Sequence, residues 1–122
     1  MSRDTRARRR DDATVGLLVH TGMPKNVARA LVFLSAHGET TSVEIEKATG
    51  LRQPEVSIAM MDLRKRKWVD KRDIKKEGKG RPVHAYRLTI PFGEIAESLA
   101  REERRRIEEI RRVIRRLKRQ PS

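Results

Sequence analysis

The residues of this sequence best suited to chemistry begin at Arg52, where the side chains match the edges of DNA base pairs. An arginine donates two hydrogen bonds to guanine, a glutamine suits adenine, a glutamate accepts from cytosine, and apolar side chains contact the thymine methyl group. All four residue types occur in one short segment. The residues predicted to face the major groove are Arg52, Gln53, Pro54, Glu55, Ser57, Ile58 and Met61.

Three of these residues also have a structural interpretation. In the first turn of a helix, the Glu55 carboxylate would stabilise the positive end of the helix dipole. Ile58 and Met61 could instead pack against a partner subunit or a partner protein. The residue types alone leave these alternatives open.

A cluster of positive charge follows this segment. Residues 64–81 contain ten basic and three acidic residues, and such clustering indicates an anionic polymer as the partner. Gly78 and Gly80 would let the chain bend close to a sugar-phosphate backbone. Phosphate contacts carry no sequence information, so this cluster does not separate specific from non-specific binding. The predicted phosphate-binding residues are Lys65, Lys67, Lys71, Arg72, Lys75, Lys76, Lys79 and Arg81.

The composition argues against several classes of protein. The 122 residues include 30 Lys and Arg, 17 Asp and Glu, and no cysteine, with a formal net charge of +13. Without cysteine there is no disulfide framework, no Cys-ligated zinc and no thiol redox chemistry. His20, His37 and His84 are not at metal-ligand spacing, so we predict no metal, no cofactor and no catalytic residue. With no apolar run long enough for a membrane span or signal peptide, we expect a cytoplasmic, nucleoid-associated protein.

Apolar spacing and turn residues predict the elements that position these side chains. Residues 1–11 have no apolar period and are expected to form a flexible basic arm. Asp12 is expected to cap a short helix that Gly22 ends. Pro24 then opens a core helix, which ends at Gly38.

The next elements predict a helix-turn-helix followed by a hairpin. Thr41 and Glu44 have the spacing of a capping box at the start of a short helix. After a tight turn at Gly50, a third helix is predicted over residues 53–66, and two strands flank a wing at 75–84. The predicted fold class is mainly α with a small β-hairpin wing, a winged helix-turn-helix over residues 12–90.

The remaining segment, residues 91–120, is predicted to be one long C-terminal helix, because helix formers dominate it. At 1.5 Å per residue, Phe92 to Lys118 would span about 40 Å. Its apolar residues repeat at the three-four-three spacing of a short coiled coil. We predict that this helix pairs two protomers, the alternative being an amphipathic helix that lies on its own domain. The predicted dimerisation residues are Ile107, Ile110, Ile114 and Leu117.

Three stretches of the sequence carry a family resemblance. They read GMPKNVARAL at 22–31, TSVEIEKATGLRQPEVS at 41–57 and GRPVHAYRLT at 80–89. Together they resemble the N-terminal winged-helix domain of archaeal transcription regulators of the TrmB-like and ArsR-like kinds. The resemblance implies that the helix holding Arg52 to Ser57 reads the major groove and that the wing grips the backbone. The sequence shows neither a large effector domain nor a Cys or His cluster, so we expect no sugar or metal response.

These observations predict a homodimeric winged-helix regulator of transcription that binds double-stranded DNA. Two-fold symmetry would favour half-sites about one helical turn apart. One alternative is a non-specific architectural chromatin protein, and another is an RNA- or ribosome-associated basic protein. A third is a winged helix that docks a protein through Ile58 and Met61. We expect no enzyme, no membrane partner and no small-molecule effector.

Overall fold

Helices dominate the computed structural model of this protein, which describes residues 2–74 and 83–121. The predicted fold class is confirmed: the chain is mainly helical, with a small antiparallel sheet and a long C-terminal helix. The chain divides into two compact units, Met1–Pro91 and Phe92–Ser122. The elements are α1 (Ser2–His20), α2 (Lys25–His37), β1 (Thr40–Thr41), α3 (Ser42–Thr49), α4 (Gln53–Lys65), β2 (Val69–Ile74), β3 (Val83–Leu88) and α5 (Phe92–Lys118).

The N-terminal segment differs from its prediction. Residues 2–11, expected as a flexible arm, are the first turns of α1, which continues through Asp12 without a new cap. Arginine and alanine are good helix formers, and the Thr14 hydroxyl donates to the Arg10 carbonyl at 2.9 Å. Apolar periodicity does not predict this part of the helix, because an arginine-rich stretch has no apolar period. In the C-terminal part of α1, Leu18 is buried whereas Leu17 is 70% exposed.

Helix α2 lies at the centre of the core of the first unit. It follows Pro24 and ends at Gly38, as predicted, and it packs against α1, α3 and α4. Apolar residues at three- and four-residue spacing give the helix one continuous buried face. The buried residues of α2 are Val27, Ala28, Ala30, Leu31, Val32 and Leu34.

Three antiparallel strands form a sheet in the order β1-β3-β2. The predicted pairing of β2 with β3 runs from Val69 opposite Leu88 to Ile74 opposite Val83. Strand β1 was not predicted, because two residues show no detectable alternation; Thr40 of β1 lies opposite Tyr86. The wing tip at residues 75–82, with Gly78 and Gly80, lies outside the described residues.

Helix α5 extends from Phe92 to Lys118, the bounds expected from the sequence. Ile95 near its start is buried, but the apolar residues of its second half are exposed. We call these five residues the α5 stripe: Ile107, Ile110, Val113, Ile114 and Leu117, each between 43% and 65% exposed. None of the helices within residues 2–74 and 83–121 combines the length and apolar character needed to cross a membrane.

Candidate nucleic-acid interface

The helix-turn-helix begins at a capping box that sets the start of α3. The Glu44 backbone N–H donates to Oγ1 of Thr41 at 3.2 Å, and the Thr41 backbone N–H donates to Oε1 of Glu44 at 3.1 Å. The predicted capping box is therefore confirmed. The hydrogen bond from the Thr41 backbone, and then the one from its hydroxyl, lower the pKa of Glu44 below its usual value. Local hydrogen bonds to an ionised carboxylate thus define this end of the helix.

A compact set of hydrogen bonds holds the turn between α3 and α4. Gly50 has a φ of 74°, which a residue without a side chain adopts at no steric cost. The Thr49 hydroxyl accepts from the Leu51 backbone N–H at 3.2 Å, and the Arg29 guanidinium of α2 donates to the Thr49 carbonyl. These bonds satisfy polar groups at the end of α3 and tie the turn to the core.

The Glu55 carboxylate is engaged inside the domain. Its Oε1 accepts from the Arg52 backbone N–H at 2.9 Å, and its Oε2 accepts from Nδ2 of Asn26 at 3.2 Å. These bonds match the structural interpretation of Glu55 as a carboxylate at a helix N-terminus. Asn26 is 29 positions away in the chain, so no local pattern in the sequence reveals this partner.

Helix α4 buries one side and exposes the opposite one. Its buried residues are Val56, Ala59, Met60 and Leu63. Directly opposite, four exposed residues recur at four-three-four spacing, which places them on one side of the helix. We call this set the α4 ridge: Pro54, Ile58, Met61 and Lys65.

A polar row runs beside the α4 ridge. It consists of Gln53, Ser57 and Arg64, all exposed and spaced by four and seven residues. The structure thus brings the predicted residues Gln53, Pro54, Ser57, Ile58, Met61 and Lys65 together on one surface of α4. Arg52, exposed just before the helix, adds a cation at its start. Arg64 was missing from the prediction, although its seven-residue spacing from Ser57 is the signal that places it here.

Helix α4 ends in a left-handed turn at Lys67. This residue has a φ of 66°, the one positive value among the described non-glycine residues. The Lys67 N–H donates to the Arg64 carbonyl at 2.9 Å, and the Trp68 N–H donates to the Leu63 carbonyl at 3.1 Å. Helix ends of this kind usually carry glycine, because a Cβ in the left-handed region is unfavourable. The turn leaves the Lys67 side chain exposed between α4 and β2.

Several basic side chains next to α4 have acidic or aromatic partners. Nε of Arg66 lies 3.2 Å from Oδ1 of Asp62, and its guanidinium carbon lies 4.9 Å from the centre of the Trp68 ring. Arg72, predicted to bind phosphate, lies 2.5 Å from a Glu39 carboxylate oxygen. Its charge is therefore partly neutralised within the domain.

Each face of the β2-β3 hairpin carries a basic side chain beside an acidic one. Nδ1 of His84 lies 2.7 Å from Oδ1 of Asp73, and Arg87 lies 3.8 Å from Asp70. On the same face of β3 as His84, burial raises the pKa of the Tyr86 phenol, while the positive charge of Arg64 lowers it. Exposed cations also lie at the end of α4, at Arg64, Lys65 and Lys67, and on β2, at Lys71.

Four predicted phosphate-binding residues, Lys75, Lys76, Lys79 and Arg81, lie outside the described residues, and their role stays a prediction. Within the described ranges, no three histidine, aspartate or glutamate side chains form a group that could hold a metal ion.

The part of the chain that carries this surface is similar to known proteins. Residues 21–80 match the model of the MarR family. No curated protein matches the chain. Among solved structures, the archaeal chromatin protein TrmBL2, reported with a novel mode of DNA binding, matches with a TM-score of 0.71 and 23% identity. The match covers 88% of this chain and 40% of TrmBL2, so the chain spans about two fifths of that protein.

Two MarR-family proteins also match. A regulator from Silicibacter pomeroyi has a TM-score of 0.55 and 20% identity, covering 86% of this chain and 69% of its own. A MarR variant from E. coli in complex with operator DNA has a TM-score of 0.51 and 16% identity, covering 80% of this chain and 68% of its own.

All of these similar structures have the winged-helix fold. The family model that matches is that of MarR. The TrmB-like and ArsR-like details of the sequence resemblance stay predictions. Transcription regulators of the MarR family are DNA-binding proteins without enzymatic activity. The matched residues include α3, the turn between α3 and α4, and the exposed side of α4. Residues 21–80 of this chain thus match the model of the MarR family, and the described part of them has the winged-helix fold.

Proposed function

We propose that this protein is a transcription regulator that binds double-stranded DNA as a homodimer. In this proposal α4 enters the major groove and the wing at 75–84 contacts the backbone. The observation that carries it is the geometry of α4, which is anchored on one side by the core and exposed on the other. A helix about 10–12 Å across fits the major groove of B-DNA, which is about 12 Å wide.

The charge around α4 supports a polyanionic partner. Arg52 lies at the start of the helix, Arg64 and Lys65 in its last turn, and Lys67 just beyond it, all exposed. The net charge of +13 has the same sign. Cations in these positions neutralise backbone phosphates and hold the helix in register with the groove. A MarR protein of the same fold has been solved with operator DNA.

The α5 stripe supports the homodimer. Its five apolar residues occupy one side of a 27-residue helix and stay exposed within the single chain. A second copy of the same helix would cover them, and a two-fold dimer would place two α4 helices on half-sites about one helical turn apart. Val113 joins the four residues that the sequence predicted for this contact.

DNA binding is tested by fluorescence anisotropy on random-sequence duplex and on genome-selected fragments, at about 50 and 200 mM salt. The proposal expects selected fragments to bind at least about a thousandfold more tightly than random duplex at the higher salt. Absence of duplex binding at either salt would contradict it.

A pair of matched variants tests the interface itself. Replacing Lys65 and Lys67 with Gln removes two charges beside the proposed phosphate contacts, and replacing Lys118 and Arg119 with Gln removes two charges at the far end of α5. The first variant should reduce the slope of the logarithm of the binding constant against the logarithm of the salt concentration. The expected reduction corresponds to the loss of about two phosphate contacts. The second should leave the slope close to that of the wild type. Equal slopes for the two variants would place the contacts elsewhere.

The second candidate is a non-specific architectural protein of chromatin. It is favoured by the structural match to TrmBL2, which is described as a chromatin protein. The same titration separates the two candidates, because an architectural protein binds all duplexes alike with a steep salt slope. Binding to RNA without binding to duplex DNA would instead support the RNA-associated alternative.

A further inference from the structure

The α4 ridge is apolar where a base-reading helix usually presents hydrogen-bonding groups. Ile58 is 67% exposed and Met61 is 56% exposed, and Pro54 precedes them on the same side of the helix. Lys65 is the one polar residue of the ridge. The donors of the polar row, Gln53, Ser57 and Arg64, lie along one flank and not at the centre.

Charge decides which kind of partner fits this apolar ridge. The exposed cation Arg52 precedes the ridge, Arg64 lies on one flank, and Lys65 ends it. The two acidic residues of α4 are engaged within the domain, since Glu55 bonds the Arg52 backbone and Asn26, and Asp62 pairs with Arg66. An apolar strip with cations beside it is complementary to apolar groups in a DNA groove, because phosphates line both edges of the groove.

We propose that the α4 ridge recognises the C5-methyl groups of thymine, so that this protein prefers duplexes with thymine at the positions that Ile58 and Met61 reach. The thymine methyl is the apolar group that natural base pairs present in the major groove. Burial of one methyl group corresponds to about a fourfold gain in affinity. The inference rests on the proposed function, because it requires α4 to enter the major groove.

The test replaces every thymine of one duplex with uracil, which removes the C5-methyl group and keeps the hydrogen-bonding edge of the base. Binding of the wild-type chain to both duplexes is measured by anisotropy at about 200 mM salt. We expect the uracil duplex to bind at least about fourfold more weakly.

Protein variants assign the effect to the ridge. Ile58→Ala together with Met61→Ala shortens two exposed side chains and keeps good helix formers in α4, so the fold should survive; its thermal unfolding checks this. The double variant should bind the thymine and uracil duplexes alike. Leu17→Ala, a comparable truncation at a 70% exposed residue of α1, should keep the wild-type preference.

Each outcome has a defined meaning. Equal binding of the two duplexes by the wild type would overturn the methyl readout while leaving the proposed function intact. A thymine preference that persists in the double variant would also overturn it, because the preference would then come from DNA shape. Failure to bind any duplex would remove the proposed function together with this inference.

Discussion

Helices α2 and α5 carry the same kind of apolar stripe, and the single chain covers one of them. In α2, Leu31 is fully buried and its apolar neighbours pack against three other helices. In α5, Ile114 is 43% exposed and Leu117 is 65% exposed. Equal patterns therefore have different roles: the α2 stripe stabilises the fold of its own chain, and the α5 stripe is available to another molecule.

The polar side of α5 does not replace the missing burial. Arg106 pairs with Glu103, and Arg112 and Arg115 approach Glu108 at 3.8 to 4.0 Å, all at the surface. Exposed ion pairs of this kind each stabilise a helix by only about 0.3–0.5 kcal/mol. Isolated helices are marginal in water, and most helical stability in proteins comes from packing an apolar side. This difference between the two helices is the physical argument for the proposed dimer.

The largest expected effect comes from charging the α5 stripe. Ile110→Lys with Ile114→Lys places two ammonium groups in the proposed contact and should weaken self-association at least about a thousandfold. Glu108→Lys is the matched control, because it changes the net charge by the same amount on another side of α5. Sedimentation equilibrium should show a monomer for the first variant and a dimer for the second. A dimer in both would locate the contact away from the stripe.

The next effect compares a buried leucine with an exposed one. Leu31→Ala should lower the free energy of unfolding by about 2–5 kcal/mol, because it removes packed methyl groups and leaves a cavity. Leu17→Ala, at an exposed residue, should change it by less than about 0.5 kcal/mol. Urea denaturation at one protein concentration measures both. Similar losses in the two variants would mean that Leu17 is covered by another molecule in solution.

A smaller effect tests the unfavourable left-handed backbone conformation of Lys67. Lys67→Gly relieves the left-handed backbone and should raise the free energy of unfolding by about 1 kcal/mol. Lys65→Gly removes the same charge from the last turn of α4 and should lower it by about 1 kcal/mol. Neither change should alter the oligomeric state. Stability changes of the same sign in both variants would contradict the strained turn.

The smallest effect is the pH dependence of the α3 cap. The pKa of Glu44 is lowered in the folded protein from its usual 4.5. Ionised Glu44 therefore contributes stability above about pH 4.5, and this contribution is lost as the pH falls through the lower folded pKa. The stability difference between the wild type and Glu44→Gln should shrink on acidification from pH 7 to pH 3. A difference independent of pH would show that the carboxylate charge does not matter to the cap.

Most elements of the fold could be predicted from local sequence signals. The capping box at Thr41, the glycine at position 50 and the apolar spacing of α2 and α4 all act over one or two helical turns. The start of α1 could not be predicted, because arginine-rich helical turns lack an apolar period. Strand β1 depends on Tyr86 and Ala85, more than forty residues away, and such pairing leaves no local trace.

Residue type and spacing determined which side chains of α4 face outward and that α5 carries an apolar stripe, because helical periodicity is a local property. Tertiary structure decided what those side chains are free to do. Asn26 engages Glu55, and Glu39 pairs with Arg72, through contacts between segments distant in the chain. No other part of the described chain covers Ile58 and Met61. Engagement and exposure depend on which segments meet in three dimensions, and periodicity within one helix does not contain that information.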